Sequence, residues 1–388
     1  MQIVIAPDKF KGTLTAVRAA EALTRGTRAV YPHATFALRP LADGGEGTLD
    51  AFVTARGARV IDRDIAGPLG DPVAAPIAVL ESGEAVIEMA TASGLQLIAR
   101  PESRTAARAS SRGTGELLLH ALRSDVTRVV VGVGGSASTD GGTGAASALG
   151  WRFLDERGHV LQPGGASLVR LHAIEPPRDE ARAVRVTGAC DVDNPLVGAR
   201  GAARAFAPQK GADAGTVATL ETGLERLAAV VQRDLGVDVS HLPHGGAGGG
   251  RGAGLAAFLG ATLTSGFDLL AEVVALDADL SGADMVVTGE GRIDEQSLGG
   301  KAPIAVARRA AAYKVPVIAV TGDLAIDKSR LKRHGIVDAI GLLQSGGSER
   351  ATGDPEGAVE RAIEGVLRHR LENARGLSLR RRSHVRRT

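Results

Sequence analysis

Short glycine-rich segments that also carry hydroxyl, lysine or carboxylate side chains recur along the chain, and the densest runs from Gly132 to Gly144. Glycine lets backbone N–H groups point at an anion and lets the chain approach a phosphate without a Cβ in the way. An apolar strand leads into this segment, and serine hydroxyls add further polar contacts. The pattern predicts a phosphate-binding loop, although a tight structural turn is the alternative. Its expected ligands are Gly132, Gly134, Gly135, Ser136 and Ser138.

Lysines accompany two other turns. Lys9 and Lys11 lie on the same side of an extended segment that directly precedes a predicted helix. A helix N-terminus already favours anions, so we expect both lysines to bind phosphate. Lys210 follows Pro208-Gln209 on a turn and is expected to add a further cation.

Two carboxylates follow a predicted strand at Asp191 and Asp193, and Asn194 adds a neutral oxygen. The spacing of two residues places both carboxylates on one side of an extended segment. Magnesium is commonly held by one or two carboxylates together with substrate phosphates. The sequence therefore predicts a Mg²⁺ site here, with an Asx-type turn before Pro195 as the alternative.

A cation flanked by two carboxylates follows the predicted strand Asp284–Thr288. Arg292 suits bidentate binding of a carboxylate or phosphate, and Glu290 and Asp294 suit metal or hydroxyl contacts. A structural cluster of ion pairs is the alternative interpretation.

The glycine segment also permits a different chemistry. Gly132, Gly134 and Ala137 match G-x-G-x-x-A, and Asp155 lies 18 residues beyond Ala137. That spacing is typical of a dinucleotide-binding loop, so an NAD-dependent oxidoreductase is the second hypothesis.

The elements that position these residues are predicted to be α/β. Strand, helix and strand patterns at 284–288, 302–313 and 315–320 indicate a crossover between parallel strands, whose loops lie at the carboxyl ends. Short strands separated by turns in the middle of the chain indicate a second α/β domain inserted into the first. We expect one discontinuous domain over 1–65 and 280–370, an inserted domain over 66–279, and a disordered basic tail over 371–388.

Composition excludes several classes of protein. Apolar residues make up 44% of the chain and charged residues 23%, as in globular domains. No apolar run approaches the ~20 residues of a membrane span, and the N-terminus lacks a signal-peptide pattern, so the cytoplasm is expected. Six arginines without an acidic residue lie between 375 and 388, while aromatic residues are 3%. Basicity is thus confined to the tail, and neither a nucleic acid nor a membrane is an expected partner.

The order and spacing of six blocks resemble the bacterial glycerate kinase type 1 family over residues 1–370. The resemblance implies ATP-dependent phosphorylation of D-glycerate with Mg²⁺, giving 2-phosphoglycerate or 3-phosphoglycerate, by a monomer or homodimer. It also implies a Rossmann-like parallel-sheet domain interrupted by an inserted second α/β domain. The blocks are Ala6–Thr13, Leu41–Thr48, Gly113–Leu117, Gly132–Gly144, Ala189–Leu196 with Phe206–Gly211, and Thr288–Lys301.

Phosphoryl transfer depends on positioning and charge neutralisation, which glycine loops, cations and a carboxylate supply. We expect Asp191 to act as base or metal ligand, with Lys9 on phosphate and Arg292 on the glycerate carboxylate. Asp193 and Asp294 are expected to complete the metal site. The remaining expected substrate and phosphate ligands are Lys11, Asp43, Glu46, Lys210, Glu290 and the five glycine and serine ligands named above in the Gly132–Ser138 loop.

Overall fold

The computed structural model describes residues 1–10, 12–123, 125–178, 184–299, 301–344 and 353–385. The chain divides into two compact units. Unit 1 consists of Met1–Ala42 and Val274–Thr388, and unit 2 is the continuous segment Asp43–Val273. Each has its own buried apolar core.

The strands of the described residues have three to nine residues and are mostly parallel. They are β1 (Gln2–Ile5), β2 (Thr35–Leu38), β3 (Arg59–Ala66), β4 (Pro72–Val79), β5 (Glu84–Glu88), β6 (Arg128–Gly132), β7 (Arg152–Leu154), β8 (Ala173–Glu175), β9 (Arg185–Cys190), β10 (Thr262–Ser265), β11 (Met285–Ile293), β12 (Val317–Leu324) and β13 (Ile336–Gly341).

The α-helices of the described residues are α1 (Ala16–Val30), α2 (Thr48–Arg56), α3 (Met89–Ser93), α4 (Ser103–Arg108), α5 (Arg112–Leu122), α6 (Thr143–Ala148), α7 (Ala202–Phe206), α8 (Ala214–Leu235), α9 (Ala247–Leu259), α10 (Gly266–Val273), α11 (Leu276–Leu280), α12 (Ala302–Ala312), α13 (Lys328–Lys332) and α14 (Pro355–Val385). Short 3-10 helices span Leu95–Leu97, Gly165–Arg170, Pro208–Lys210 and Gln296–Gly299.

Unit 1 contains a parallel five-stranded sheet in the order β13-β12-β11-β1-β2. One face packs on α1 and α14, where Ile3 and Val287 share a core with Leu23 and Ile363. The alternate strand residues, such as Val4, are also fully buried, because strand side chains alternate between faces and both faces are covered. Helix α1 begins at Thr15, whose side chain accepts a hydrogen bond from the Arg18 N–H.

Unit 2 contains a six-stranded sheet in the order β10-β9-β6-β5-β4-β3. Strands β5, β6, β9 and β10 are parallel, whereas β3 and β4 form an antiparallel edge. Strands β7 and β8 form a separate antiparallel pair. The mixed α/β class with parallel sheets expected from the sequence is confirmed.

Three expectations differ from the structure. Residues 43–65 belong to unit 2 and 274–279 to unit 1, because β3 pairs along its length with β4 and α11 lies in unit 1. The strand expected over 284–288 is longer in the structure, where β11 continues to Ile293 because it pairs with β12 through Leu324. Helix α14 extends to Val385, so most of the expected disordered tail over 371–388 is helical, consistent with its leucines and arginines being good helix formers.

In the described part of the chain no helix combines the length and the apolar character that crossing a bilayer requires.

The contact between α1 and α14 depends on Gly26. A Cβ at this position would lie 2.2 Å from the Glu360 carbonyl oxygen and 2.6 Å from Ile363 Cγ2. We expect Gly26→Ala to lower the free energy of unfolding by about 1–3 kcal/mol, as overpacking does. Gly365→Ala on α14 is the matched control, because nothing lies within 4 Å of its Cβ position. The control should gain about 0.5 kcal/mol of helix propensity, and urea unfolding of both variants decides the comparison.

Candidate functional site

Four parallel strands of unit 2 end side by side at one edge of its sheet. Glu88 at the end of β5 pairs with Gly132 at the end of β6, and Gly132 pairs with Ala189 of β9. Cys190, the last residue of β9, pairs with Ser265 at the end of β10. Ligands of parallel sheets bind outside the carboxyl ends of the strands, so this edge is the candidate site of unit 2.

Two glycine segments meet at this edge, backbone against backbone. The Gly134 N–H donates to the Gly44 carbonyl oxygen at 3.2 Å. A Cβ on Gly134 would lie 2.7 Å from Gly45 Cα and 3.1 Å from Asp191 Oδ2. A Cβ on Gly44, whose φ is +96°, would lie 2.6 Å from the Ala189 carbonyl oxygen. Side chains would therefore force these segments apart, and the structure brings Asp191 beside Gly134.

The segment after Gly44 is fixed by a buried carboxylate. Glu88 Oε1 accepts hydrogen bonds from the Gly47 N–H at 3.0 Å and the Leu49 N–H at 2.7 Å. It thereby satisfies the first N–H groups of α2, which has no side-chain cap of its own. Asp43 accepts from the Gly45 N–H at 3.3 Å, while Glu46 is exposed.

The Gly132–Asp140 segment presents little of itself to solvent, because Gly135 is its one exposed residue. The Gly135 carbonyl accepts from the Leu95 N–H at 3.0 Å, and its φ of +80° requires glycine. Ser138 is fully buried, and its hydroxyl donates to Asp140 Oδ1 at 3.1 Å. The structure thus turns Ser138 inward instead of toward a phosphate, and Ser136 is 7% exposed.

Asp140 is fully buried, and each of its carboxylate oxygens accepts hydrogen bonds. Oδ2 accepts from the Ser111 N–H at 2.8 Å, the Ser111 hydroxyl at 2.7 Å and the Gly144 N–H at 3.3 Å. Oδ1 accepts from the Gly142 N–H at 3.2 Å as well as from Ser138. Burying an ionised carboxylate is costly unless it is well hydrogen-bonded, and here the turn around it supplies the donors.

Two cations lie next to this carboxylate. Arg251 is fully buried and donates from Nη2 to the Ser138 hydroxyl at 2.9 Å. Lys210 donates from Nζ to the Ser136 hydroxyl at 2.7 Å and to the Ser138 carbonyl at 2.6 Å. Burial, together with the Arg251 charge, lowers the pKa of Lys210 to about 7, although Asp140 and Asp191 oppose the shift. Burial likewise lowers the pKa of Arg251 to about 10.

The two acidic residues after β9 have different surroundings. Asp191 is exposed at the sheet edge and close enough to Lys210 to raise its pKa. Burial, and to a smaller extent the Asp191 charge, raises the pKa of the Cys190 thiol, which therefore stays protonated. Asp193 forms a 2.7 Å ion pair with Arg200, and both side chains are largely exposed.

In unit 1, the strand order reverses between β1 and β11, where ligands of doubly wound sheets bind. The Asp8 N–H donates to the Gly289 carbonyl at 2.8 Å, so the segment after β1 runs along β11. Lys9 follows β1, with its Nζ 4.0 Å from Asp8 Oδ1. Glu290 lies on β11 and is 6% exposed. Lys11 lies outside the described residues.

Arg292 lies between two carboxylates further along β11. Its Nε is 3.4 Å from Asp294 Oδ2 and 3.5 Å from Asp323 Oδ2, and its side chain is 61% exposed. Burial opposes ionisation of Asp294, but the Ser297 N–H, Lys301 and Arg292 outweigh it and lower the pKa of Asp294 below its ordinary value. This is the ion-pair cluster that the sequence left as an alternative, with the guanidinium still accessible to solvent.

The expected residues therefore fall into two sets. Unit 1 contains Lys9, Glu290, Arg292 and Asp294, and unit 2 contains the others that the structure describes. Within the described residues, no group of three or more histidine, cysteine, aspartate or glutamate side chains could hold a metal ion. Asp191 fits a metal that is held by one carboxylate together with substrate phosphates.

The residues of the NAD hypothesis do not form a dinucleotide site. Asp155 follows β7, which pairs with β8 outside the six-stranded sheet. Its Oδ1 accepts from the Arg157 and His159 N–H groups, both at 2.9 Å, so it stabilises its own turn. An acidic residue of a dinucleotide-binding fold should instead end a strand beside the glycine loop's strand.

Sequence reasoning did not assign a role to Glu88 or Arg251. Glu88 ends an otherwise apolar strand, and Arg251 interrupts a run of glycine and alanine. A charged residue within an apolar or small-residue run is the signal that could have identified both, because such a charge is buried only when it has partners.

Comparison with known proteins gives a consistent result. A family model described as the glycerate kinase family matches residues 3–370. A glycerate kinase of Bacillus subtilis strain 168 is 43% identical over 339 residues, which cover 87% of this chain and 88% of that protein. A glycerate 2-kinase of Escherichia coli K12 is 44% identical, with 90% and 92% covered. A crystal structure of a protein assigned as glycerate kinase 2 from Salmonella typhimurium LT2 has a TM-score of 0.80 at 39% identity, with 97% and 99% covered.

The buried lysine predicts a dependence of stability on pH. Unfolded lysine has a pKa near 10.5, whereas Lys210 in the fold has a pKa of about 7. Between these values the unfolded chain binds a proton that the folded chain does not, so the contribution of Lys210 to stability rises with pH. Lys210→Met removes this term. We expect the free energy of unfolding of the unsubstituted protein, minus that of the variant, to increase above pH 7 by up to about 1.4 kcal/mol per pH unit.

Urea unfolding at pH 6, 7.5 and 9 measures this difference, with the exposed Lys332→Met as the matched control. A difference between the unsubstituted protein and Lys210→Met that stays constant over this range would contradict the assignment.

Proposed function

Since this chain belongs to the glycerate kinase family and is a kinase, we propose that it transfers the γ-phosphoryl group of ATP to the 2-hydroxyl of D-glycerate, giving 2-phosphoglycerate and ADP. The observation that carries the proposal is the junction of Gly44–Gly45 with Gly134 beside Asp191, in a chain matched by that family over residues 3–370.

The glycine junction suits a nucleotide phosphate. Gly135 is the exposed residue of the turn that follows Gly134, and glycine permits the close approach of a phosphate to a backbone N–H group. Phosphoryl transfer needs little covalent chemistry from the protein, so a rigid backbone cradle contributes mainly by positioning and by electrostatic stabilisation. We assign this turn to the phosphates of ATP.

Asp191 is proposed to accept the proton of the attacking hydroxyl or to hold Mg²⁺. The buried strand β9 directly before it fixes its backbone position, and its exposed side chain is accessible to a substrate. Bound Mg²⁺ would neutralise charge on the phosphoryl oxygens. Asp193 is a weaker candidate because Arg200 already neutralises it, and Asp294 remains a proposed metal ligand of unit 1.

In unit 1 we propose that Lys9 contacts phosphate and that Arg292 binds the carboxylate of glycerate. The exposed guanidinium of Arg292 retains donors for a planar anion while two carboxylates hold its position. Asp43, Glu46 and Glu290 are proposed contacts to substrate. We further propose a cytoplasmic enzyme that acts as a monomer or a homodimer.

The reaction is tested by an assay for ADP release, coupled to NADH oxidation, over a panel of small hydroxy acids. D-glycerate should be the preferred acceptor, and phosphorus NMR should show 2-phosphoglycerate. Formation of 3-phosphoglycerate would contradict the proposed transfer to the 2-hydroxyl. Absence of ADP release with every hydroxy acid tested would contradict the proposed kinase activity.

Replacing the proposed base should affect turnover. We expect Asp191→Asn to lower kcat by 10²-fold or more, the range that general-base and metal-ligand roles contribute. Asp64→Asn, at an exposed position on the edge strand β3, is the matched control and should keep its activity. A magnesium titration of both variants separates the two roles, because loss of a metal ligand raises the Mg²⁺ requirement. Near-normal turnover of Asp191→Asn with unchanged magnesium dependence would exclude both.

The glycine junction gives a second test. Gly134→Ala would place a Cβ against Gly45 Cα and Asp191 Oδ2, and the backbone must move to relieve the contact. A displacement of about 1 Å at a reacting site can cost about 10²-fold in rate, and we expect a loss of that order in kcat/KM for ATP. Gly215→Ala is the control, because its Cβ would meet only Asp213 Oδ1, at 3.7 Å. Equal activity of the two variants would show that the junction does not support catalysis.

A further inference from the structure

Beneath the Gly132–Asp140 segment lies a pair of buried cations that the proposed reaction does not yet use. Lys210 is 2% exposed and Arg251 is fully buried. Both are among the largest fully buried side chains in the described residues. A buried charge is strongly unfavourable unless specific partners compensate for it, so their partners indicate what the two residues do.

The hydrogen-bond partners of the Lys210 ammonium lie within four consecutive residues of the glycine segment. Besides the Ser136 hydroxyl and the Ser138 carbonyl, Nζ donates to Thr139 Oγ1 at 3.4 Å. In its protonated state Nζ has three donors, and these three contacts use all of them. Lys210 therefore connects the 3-10 helix Pro208–Lys210 to a segment more than 70 residues earlier in the chain. This position differs from the expected one, in which Lys210 binds phosphate directly.

The choice of lysine at this position is informative. Lys210 is the one lysine between residues 43 and 273, where the other long basic side chains are all arginines. An ammonium donates in three diverging directions from one atom, whereas guanidinium donors lie in a plane and form a fork. The two hydroxyls and the carbonyl around Nζ suit the first geometry and not the second.

Arg251 holds the same segment from another element. Its Nη2 donates to the Ser138 hydroxyl, which in turn donates to Asp140. Three successive glycines with positive φ, Gly248 to Gly250, bring the chain into position before Arg251. The Gly249 carbonyl accepts from the Gly141 N–H at 3.1 Å, so backbone and side chain of α9 both fix this turn.

We propose that Lys210 and Arg251 are positioning residues for phosphoryl transfer, which hold Ser136 to Asp140 so that the adjacent, exposed Gly135 presents its backbone N–H to a nucleotide phosphate. This inference rests on the proposed kinase function. Neither residue contacts the nucleotide. Lys210 fixes the positions of the Ser136 hydroxyl and the Ser138 carbonyl. Arg251 fixes the Ser138 hydroxyl, which in turn donates to Asp140.

A double-mutant cycle distinguishes this role from direct phosphate binding. The unsubstituted protein is assayed first, so that an inactive enzyme counts against the proposed function and not against this inference. Lys210→Met should lower kcat/KM for ATP by 10²-fold or more and leave KM for D-glycerate within about twofold. Lys210→Arg should resemble Lys210→Met, because a guanidinium keeps the positive charge but cannot donate in three diverging directions from one atom. Wild-type kinetics of either variant would overturn the proposal.

Ser136→Ala removes one partner of Lys210 and should reduce kcat/KM for ATP by about fivefold. Since Lys210 acts through that hydroxyl, the double variant Lys210→Met/Ser136→Ala should be no worse than Lys210→Met alone. Additive losses would mean that Ser136 or Lys210 contacts the substrate independently, and would overturn the inference.

The arginine gives a second test that holds even if Lys210→Met fails to fold. Arg251→Lys keeps a donor for Ser138, whereas Arg251→Met has none. We expect kcat/KM for ATP to decrease in the order unsubstituted protein, Arg251→Lys, Arg251→Met, with KM for D-glycerate nearly constant. Thermal melting of each variant checks that it is folded at the assay temperature, and Lys332→Met is the exposed control. Equal losses in Arg251→Lys and Arg251→Met, or losses that fall equally on both substrates, would contradict the positioning role.

Discussion

The buried carboxylate of Asp140 is the interaction on which the candidate site of unit 2 depends. A carboxylate without solvent must receive hydrogen bonds, and those available come from Ser111, from Ser138 and from the backbone of the turn that follows it. Because the turn closes around Asp140, the polar side chains of the segment point inward, and Gly135 is the residue of Gly132–Asp140 that stays exposed. A backbone N–H held in this way has a fixed direction before a substrate binds, which is what electrostatic stabilisation of a transferred phosphoryl group requires.

The sequence predicted the outline of both sheets well, because strand periodicity and glycine clusters are local signals. The apolar runs at β6, β9 and β11 were recognised, and candidate residues such as Gly132 and Asp191 lie at or just after the carboxyl ends of β6 and β9. The boundary of the inserted part was missed because the assignment of β3 depends on pairing with β4, which a single segment does not encode. The extension of β11 to Ile293 likewise depends on its neighbour β12.

The interior of the candidate site could not be read from residue type. Ser136, Ser138 and Lys210 have the chemistry of phosphate ligands, yet the fold buries them. Whether a hydroxyl faces a substrate or the core is decided by distant residues, such as Arg251, which lies 113 positions from Ser138. Glu88 illustrates the same limit, because its role as a cap for α2 appears only when β5 and that helix are brought together. Burial by residues distant in sequence is a tertiary property, which the local sequence pattern does not determine.

The partition of the chain has a consequence for its biosynthesis. Unit 2 is continuous, so all of its strands are synthesised before the second part of unit 1. The sheet of unit 1 places β1 next to β11, and α1 packs on α14 from the opposite terminus. The strand and helix of the first 42 residues therefore lack their packing partners until β11 and α14 have been made. Exposed apolar surface makes partly folded chains prone to aggregation, so the early part of this chain is vulnerable during that interval.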